Sequence, residues 1–124
     1  MPFDDIRKHF WQRFNDYREG LSFSPLAFHE QQSNACKRHS EYLARASRDK
    51  GFLVVEESPE SVREGWTEST SAVVQDNFDE AVDYLLWKNL SKPELAQKIR
   101  LAQTSFACDV AIDGNKTFLV IRYR

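Results

Sequence analysis

Residues 105–123 read SFACDVAIDGNKTFLVIRY, two apolar runs on either side of Asp113-Gly114-Asn115. Glycine accepts the positive φ that a tight turn demands, so the two runs are expected to fold back on each other as an antiparallel pair. A continuous run such as Phe118-Leu119-Val120-Ile121 fits a sheet covered on both faces, whereas Asp109 in the first run predicts that one face is partly wet. The cover must come from earlier in the chain, and there the periodicity is helical.

Phe3, Ile6, Phe10, Phe14 and Tyr17 recur at helical spacing with charges between them, and Gly20 is a plausible stop. After a loop with Ser24-Pro25, where proline biases its predecessor away from helix, the spacing resumes at Phe28, Ala35, Cys36, His39, Tyr42, Leu43 and Ala46. A second helix is expected to about Arg48. GFLVVEE (51–57) reads as a short β-like run, SPESVREG (58–65) as loop, and WTESTSAVV (66–74) as another extended segment. Asn77, with Glu80 three residues on, caps a third helix through Ala81, Val82, Leu85 and Leu86. Ser91-Lys92-Pro93-Glu94 repeats that logic for a short fourth helix bearing Leu95, Ile99 and Leu101. Helices together with a terminal hairpin make the class α+β, and the absence of repeats and linkers makes residues 1–124 one domain.

Composition agrees and excludes several functions. The 124 residues are 41% hydrophobic and 13% aromatic, the proportions of a chain that folds around a core. Seventeen Lys and Arg are scattered among nineteen Asp and Glu, net −2, with no basic stripe to track phosphates, so nucleic acid is not expected. No long apolar run offers a membrane span, and MPFDDIRKHFWQRF has neither the apolar stretch of an export signal nor the glycine needed for myristoylation. Two cysteines, Cys36 and Cys108, allow at most one bridge, whose formation sequence cannot decide, and no close-spaced Cys/His set suggests structural zinc.

The chemistry-bearing side chains each have a bland reading. Cys36 lies one helical turn before His39, so thiol and imidazole share a face and an activated thiolate is conceivable, but a free cysteine is usually a small buried hydrophobe. His39 and Ser40 are adjacent in a helix and point about 100° apart, which rules them out as a nucleophile–base pair. Glu56, Glu57, Glu60, Glu64 and Glu68 lack the oxygen spacing of a calcium loop and read as a solvated stretch. Trp66 and Trp87 suit a groove, a protein contact or a core.

Taken in order, these segments resemble the CAP superfamily, which includes cysteine-rich secretory proteins, antigen 5 and the plant pathogenesis-related 1 proteins, with bacterial-type members the nearest comparison. Residues 13–44, RFNDYREGLSFSPLAFHEQQSNACKRHSEYLA, are similar to the family's opening, NFDEAVDYLLW to its acidic-apolar helix ending in tryptophan, and TSFACDVAIDGNKTFLVIRY to its closing hairpin. The resemblance implies a three-layer α-β-α sandwich with a mainly antiparallel sheet. In many members two histidines and two glutamates meet in a cleft and can bind a divalent metal. The first histidine matches His39. The first glutamate matches Glu68 in GWTEST, where Thr67 and Ser69 replace the family's glycine and asparagine; the second histidine falls on Glu94 of SKPE, and the second glutamate has no counterpart.

A site so reduced implies no catalytic residues and no cofactor, with His39 and Glu68 the weak candidates for any metal, since zinc wants three or four protein ligands. The expected role is a noncatalytic binding or protein-interaction module whose altered cleft uses His39, Glu68, Glu94 and Trp66. Its partners would be a protein, an apolar small ligand or a second copy of the chain, without membrane insertion. Two other classes compete: a lipid- or sterol-binding protein, which needs an apolar groove of several hundred Å³, and a hydrolase using His39 with Glu68. The lack of an export signal favours an intracellular protein; an excised domain of an exported one is the alternative.

Overall fold

A computed structural model of the chain describes residues 3–20, 30–59, 63–99 and 106–123. The loop with Ser24-Pro25-Leu26, and with it Phe28, Glu60 and Leu101, lies outside the described residues. The elements in order are α1 (Phe3–Gly20), α2 (Glu30–Lys50), β1 (Thr67–Val74), α3 (Phe78–Leu90), α4 (Pro93–Ile99), β2 (Phe106–Asp113) and β3 (Lys116–Tyr123).

The hairpin forms as its turn residues predict. Strands β2 and β3 pair antiparallel from Asp113↔Lys116 to Phe106↔Tyr123, leaving Gly114-Asn115 as the turn with Gly114 at φ 62°. Strand β1 adds to the other edge of β3, antiparallel from Val74↔Lys116 to Thr67↔Tyr123, so the sheet order is β1-β3-β2.

Side chains alternate across a strand, and β3 therefore feeds two cores. Phe118 and Val120 pack with Ala107 of β2 and with Cys36, Leu43 and Ala44 of α2. Leu119, Ile121 and Tyr123 face the other way, towards Cys108 and Val110, Phe10 and Phe14 of α1, Val82 and Leu85 of α3, and Leu95 of α4. The result is three layers: α2, the sheet, and the group α1, α3 and α4. Strand β3 is buried on both faces from Thr117 to Tyr123, which is why its sequence does not alternate. The two cysteines sit in cores on opposite faces of the sheet, and both are free thiols.

Three local expectations need correction. The face bearing Asp109 is not wet: this residue is 1% exposed, and its Oδ1 accepts the Val110 N–H at 2.7 Å. That backbone hydrogen bond takes part of the place of the solvent a buried carboxylate would otherwise need. GFLVVEE is not a strand. Helix α2 ends at Gly51, whose φ of 78° lets its N–H reach the Ser47 carbonyl at 2.9 Å, and the chain then turns back along α2. Side chains satisfy this segment where a neighbouring strand would have done: Val54 N–H donates to Ser47 Oγ at 2.8 Å, and the Glu56 carbonyl meets His39. Ser91 does not cap α4. Its hydroxyl donates back to the Trp87 carbonyl at 2.7 Å and closes α3, while the Lys92 carbonyl takes the Ala96 N–H. Asn77 caps α3 as expected, Oδ1 accepting the Glu80 N–H at 3.1 Å.

Candidate functional site

Glu68 is the second residue of β1, and the register sets it opposite Arg122 on β3. Cross-strand partners share a face, and this is the face α2 covers. The Glu68 side chain is 0% exposed and that of Arg122 1%. Taking two such ions out of water costs several kcal/mol each unless charge and hydrogen bonding are both restored. Here they are. Arg122 Nε donates to Glu68 Oε2 at 2.9 Å, Nη2 to Ser58 Oγ at 2.9 Å and Nη1 to Gln32 Oε1 at 3.1 Å. Ser58 adds its hydroxyl to Glu68 Oε2 at 2.9 Å and its backbone N–H to Oε1 at 2.7 Å. The three nitrogens of one planar guanidinium reach three different residues, a geometry that lysine cannot reproduce.

His39 projects from α2 against the same carboxylate. Its Nε2 lies 2.6 Å from the Glu56 carbonyl oxygen and 3.4 Å from Glu68 Oε1. A carbonyl only accepts, which assigns the proton to Nε2. The imidazole stacks on Tyr42, one turn further along α2, with centroids 5.7 Å apart and planes at 17°. The Tyr42 hydroxyl in turn donates to Glu56 Oε1 at 3.2 Å. That hydrogen bond, and then the Glu56 charge, raise the phenol above its ordinary pKa. Outside this wall is a cavity of about 440 Å³ lined by His39, Tyr42, Glu56, Glu57 and Pro59.

The four residues expected from sequence do not all converge. His39 and Glu68 meet. Glu94 is exposed in the first turn of α4, the helix that packs on the opposite face of the sheet through Leu95. Trp66, 6% exposed just ahead of β1, is buried and does not line the cavity, whereas Trp87 is 66% exposed on α3. Arg122, Ser58 and Gln32 were missed. Arg122 had a visible signal, a cation inside the apolar run Phe118–Tyr123, but its partner depends on a strand register that no local pattern contains.

Cys36 offers no thiolate. It is 0% exposed, and burial pushes its thiol pKa far up against the opposing pull of Arg122. Ser40 is likewise turned away from His39, its hydroxyl donating to the Lys37 carbonyl at 2.8 Å. A second polar cluster ties β1 to α3 on the other face of the sheet. Asn89 accepts from Ser69 Oγ at 2.7 Å and donates to Ser71 Oγ and the Leu85 carbonyl, both at 2.8 Å, while Lys92 Nζ reaches Ser69 Oγ at 2.6 Å.

No family model and no curated protein matches the sequence. Solved structures match its backbone. BmVAL-1 superposes over 95% of this chain and 75% of its own, with a TM-score of 0.60 at 16% identity. A cysteine-rich secretory protein from Staphylococcus aureus, SAV1118, matches 98% of this chain with a TM-score of 0.54 at 9% identity, and the chain spans only 39% of that protein's length. The helices on both faces of an antiparallel sheet, in the arrangement of these two proteins, give this chain the fold of the CAP superfamily.

Proposed function

We propose that this CAP-fold chain is a noncatalytic binding module that contacts its ligand through the cavity beside His39, the family's metal site having been converted into a buried ion pair. One observation carries this reading: His39 Nε2, the ring nitrogen beside Glu68, and both Glu68 carboxylate oxygens already hold partners within the fold. A metal shared by His39 and Glu68 would need a lone pair on the ring nitrogen that faces the carboxylate, yet that nitrogen, Nε2, donates to the Glu56 carbonyl, and both Glu68 oxygens hold donors from Ser58 or Arg122. The guanidinium supplies the positive charge that a divalent ion would bring, so the donor set does not fit a metal. Among the described residues no group of three His, Cys, Asp or Glu is placed to hold one.

Hydrolysis fits no better. Glu68 and the Glu56 carbonyl share Nε2, which leaves Nδ1 to act as base, and neither neighbouring nucleophile is offered to it: Ser40 donates to the Lys37 carbonyl and Cys36 is fully buried. A lipid or sterol would want an aliphatic lining, and this cavity carries two glutamates. The test is calorimetric titration with zinc, alongside broad esterase and peptidase assays. No stoichiometric binding below micromolar and no His39-dependent turnover are expected; tight zinc binding abolished by His39→Ala would overturn the proposal.

A further inference from the structure

We propose that the cavity beside His39 is a binding site for an organic cation, a guanidinium or a substituted ammonium group. This deepens the binding-module reading and rests on it. The cavity combines the two features that select such a group: aromatic surface and carboxylate. Tyr42 is 44% exposed and stacks on His39, so its outer face is backed by a second ring and open to a ligand. A cation over an aromatic face is attracted by the ring quadrupole. The phenol donates to Glu56 Oε1, which shifts electron density towards the ring and strengthens that attraction.

The carboxylates have complementary states. Glu56 is fixed twice, its carbonyl by His39 and its side chain by Tyr42, and so forms a rigid wall. Glu57, the next residue, is exposed and makes no hydrogen bond or ion pair among the described residues. Its charge is thus available to a ligand. No described Lys or Arg lines the cavity. Arg122 is committed to Glu68, and Arg38 and Arg45, exposed one turn to either side of Tyr42 on α2, do not line it. Pro59 contributes an apolar wall suited to the methylenes of an arginine, lysine or polyamine. An anion would meet two carboxylates, and a neutral apolar ligand would desolvate them without compensation.

The experiment is a titration of the isotope-labelled chain, read by amide chemical shifts, with acetyl-arginine amide, spermidine and, as the uncharged isostere, acetyl-citrulline amide. Saturable shifts at Tyr42, Glu56 and Glu57 are expected, with citrulline weaker by roughly tenfold. Glu57→Gln, which removes no hydrogen bond within the fold, should weaken binding about two- to fivefold, and Tyr42→Leu about as much. Binding of the arginine probe over spermidine points to a side chain of a protein partner, and the reverse to a free polyamine; either supports the assignment. Equal binding of citrulline, no effect of Glu57→Gln, or the absence of saturable shifts with both cations would overturn it. A neutral or anionic probe filling the cavity instead would overturn the cation assignment alone, whereas zinc binding through His39 would overturn the underlying binding-module reading.

Discussion

Replacing Arg122 by methionine tests how far the buried Glu68 carboxylate depends on its cross-strand partner. At 2.9 Å and an effective dielectric of about 20, the gross attraction between Arg122 and Glu68 is about 6 kcal/mol. Desolvating two ions offsets most of it, so the intact pair adds little net stability. Removing one member is another matter: the methionine variant leaves the Glu68 carboxylate at 0% exposure with Ser58 and the longer 3.4 Å contact to His39 Nε2 as its donors among the described residues, and deprives Gln32 and Ser58 of their guanidinium contacts. A loss of about 3–5 kcal/mol is expected, a large share of the roughly 5–15 kcal/mol typical of a domain. Urea unfolding followed by circular dichroism measures it, with Glu68→Gln and the double variant completing a cycle. The double variant should be more stable than the sum of the singles implies, by about 2 kcal/mol or more. Arg122→Lys should fall between, since the charge survives but the three-way fork does not. A methionine variant within about 1 kcal/mol of the parent, or strictly additive singles, would refute the reasoning.

Other consequences can be checked directly. Both cysteines should be inert to a thiol reagent in the folded chain and react only as fast as it unfolds, with reductant leaving the melting temperature unchanged; fast modification of Cys36 would contradict its burial. Asn89→Ala strips partners from Ser69, Ser71 and the Leu85 carbonyl in a buried cluster and should cost about 2–4 kcal/mol in the same urea assay; a loss below about 0.5 kcal/mol would count against that cluster. Because the Tyr123 phenol is held up by burial and then by Glu94 and Glu57, the unfolded chain releases that proton first as pH passes about 10. Stability should therefore fall with rising pH above that value, and less steeply in Tyr123→Phe; equal slopes would dismiss the effect.

The fold was legible wherever one short segment determines its own conformation. Asp113-Gly114-Asn115 requires a turn whatever surrounds it, and Asn77 caps α3 with an atom three residues away. Legibility ended where a partner far along the chain decides the outcome. Residues 51–57 have the composition of a strand, yet the hydrogen bonds of this segment and of Ser58 after it go to Ser47, His39 and Glu68, because α2 and β1 lie beside them. Asp109 looked like a mark of solvent and is buried. In the site, His39 and Glu68 were found by resemblance and Arg122 was not. Its meaning depends on the pairing of residues 68 and 122, a fact of register.

That register also links the dry interior to the open cavity. Ser58 holds Glu68 with its backbone and hydroxyl, Glu56 holds His39 with its carbonyl and Tyr42 with its carboxylate, and Glu57 between them faces the cavity. The wall is anchored through side chains on either side of Glu57, and its inner anchor is the ion pair itself. A segment tied this way is only as well placed as the groups it is tied to. The Arg122 guanidinium therefore reaches the cavity wall from the buried side: by holding Ser58 and Glu68 it sets the position of Glu57.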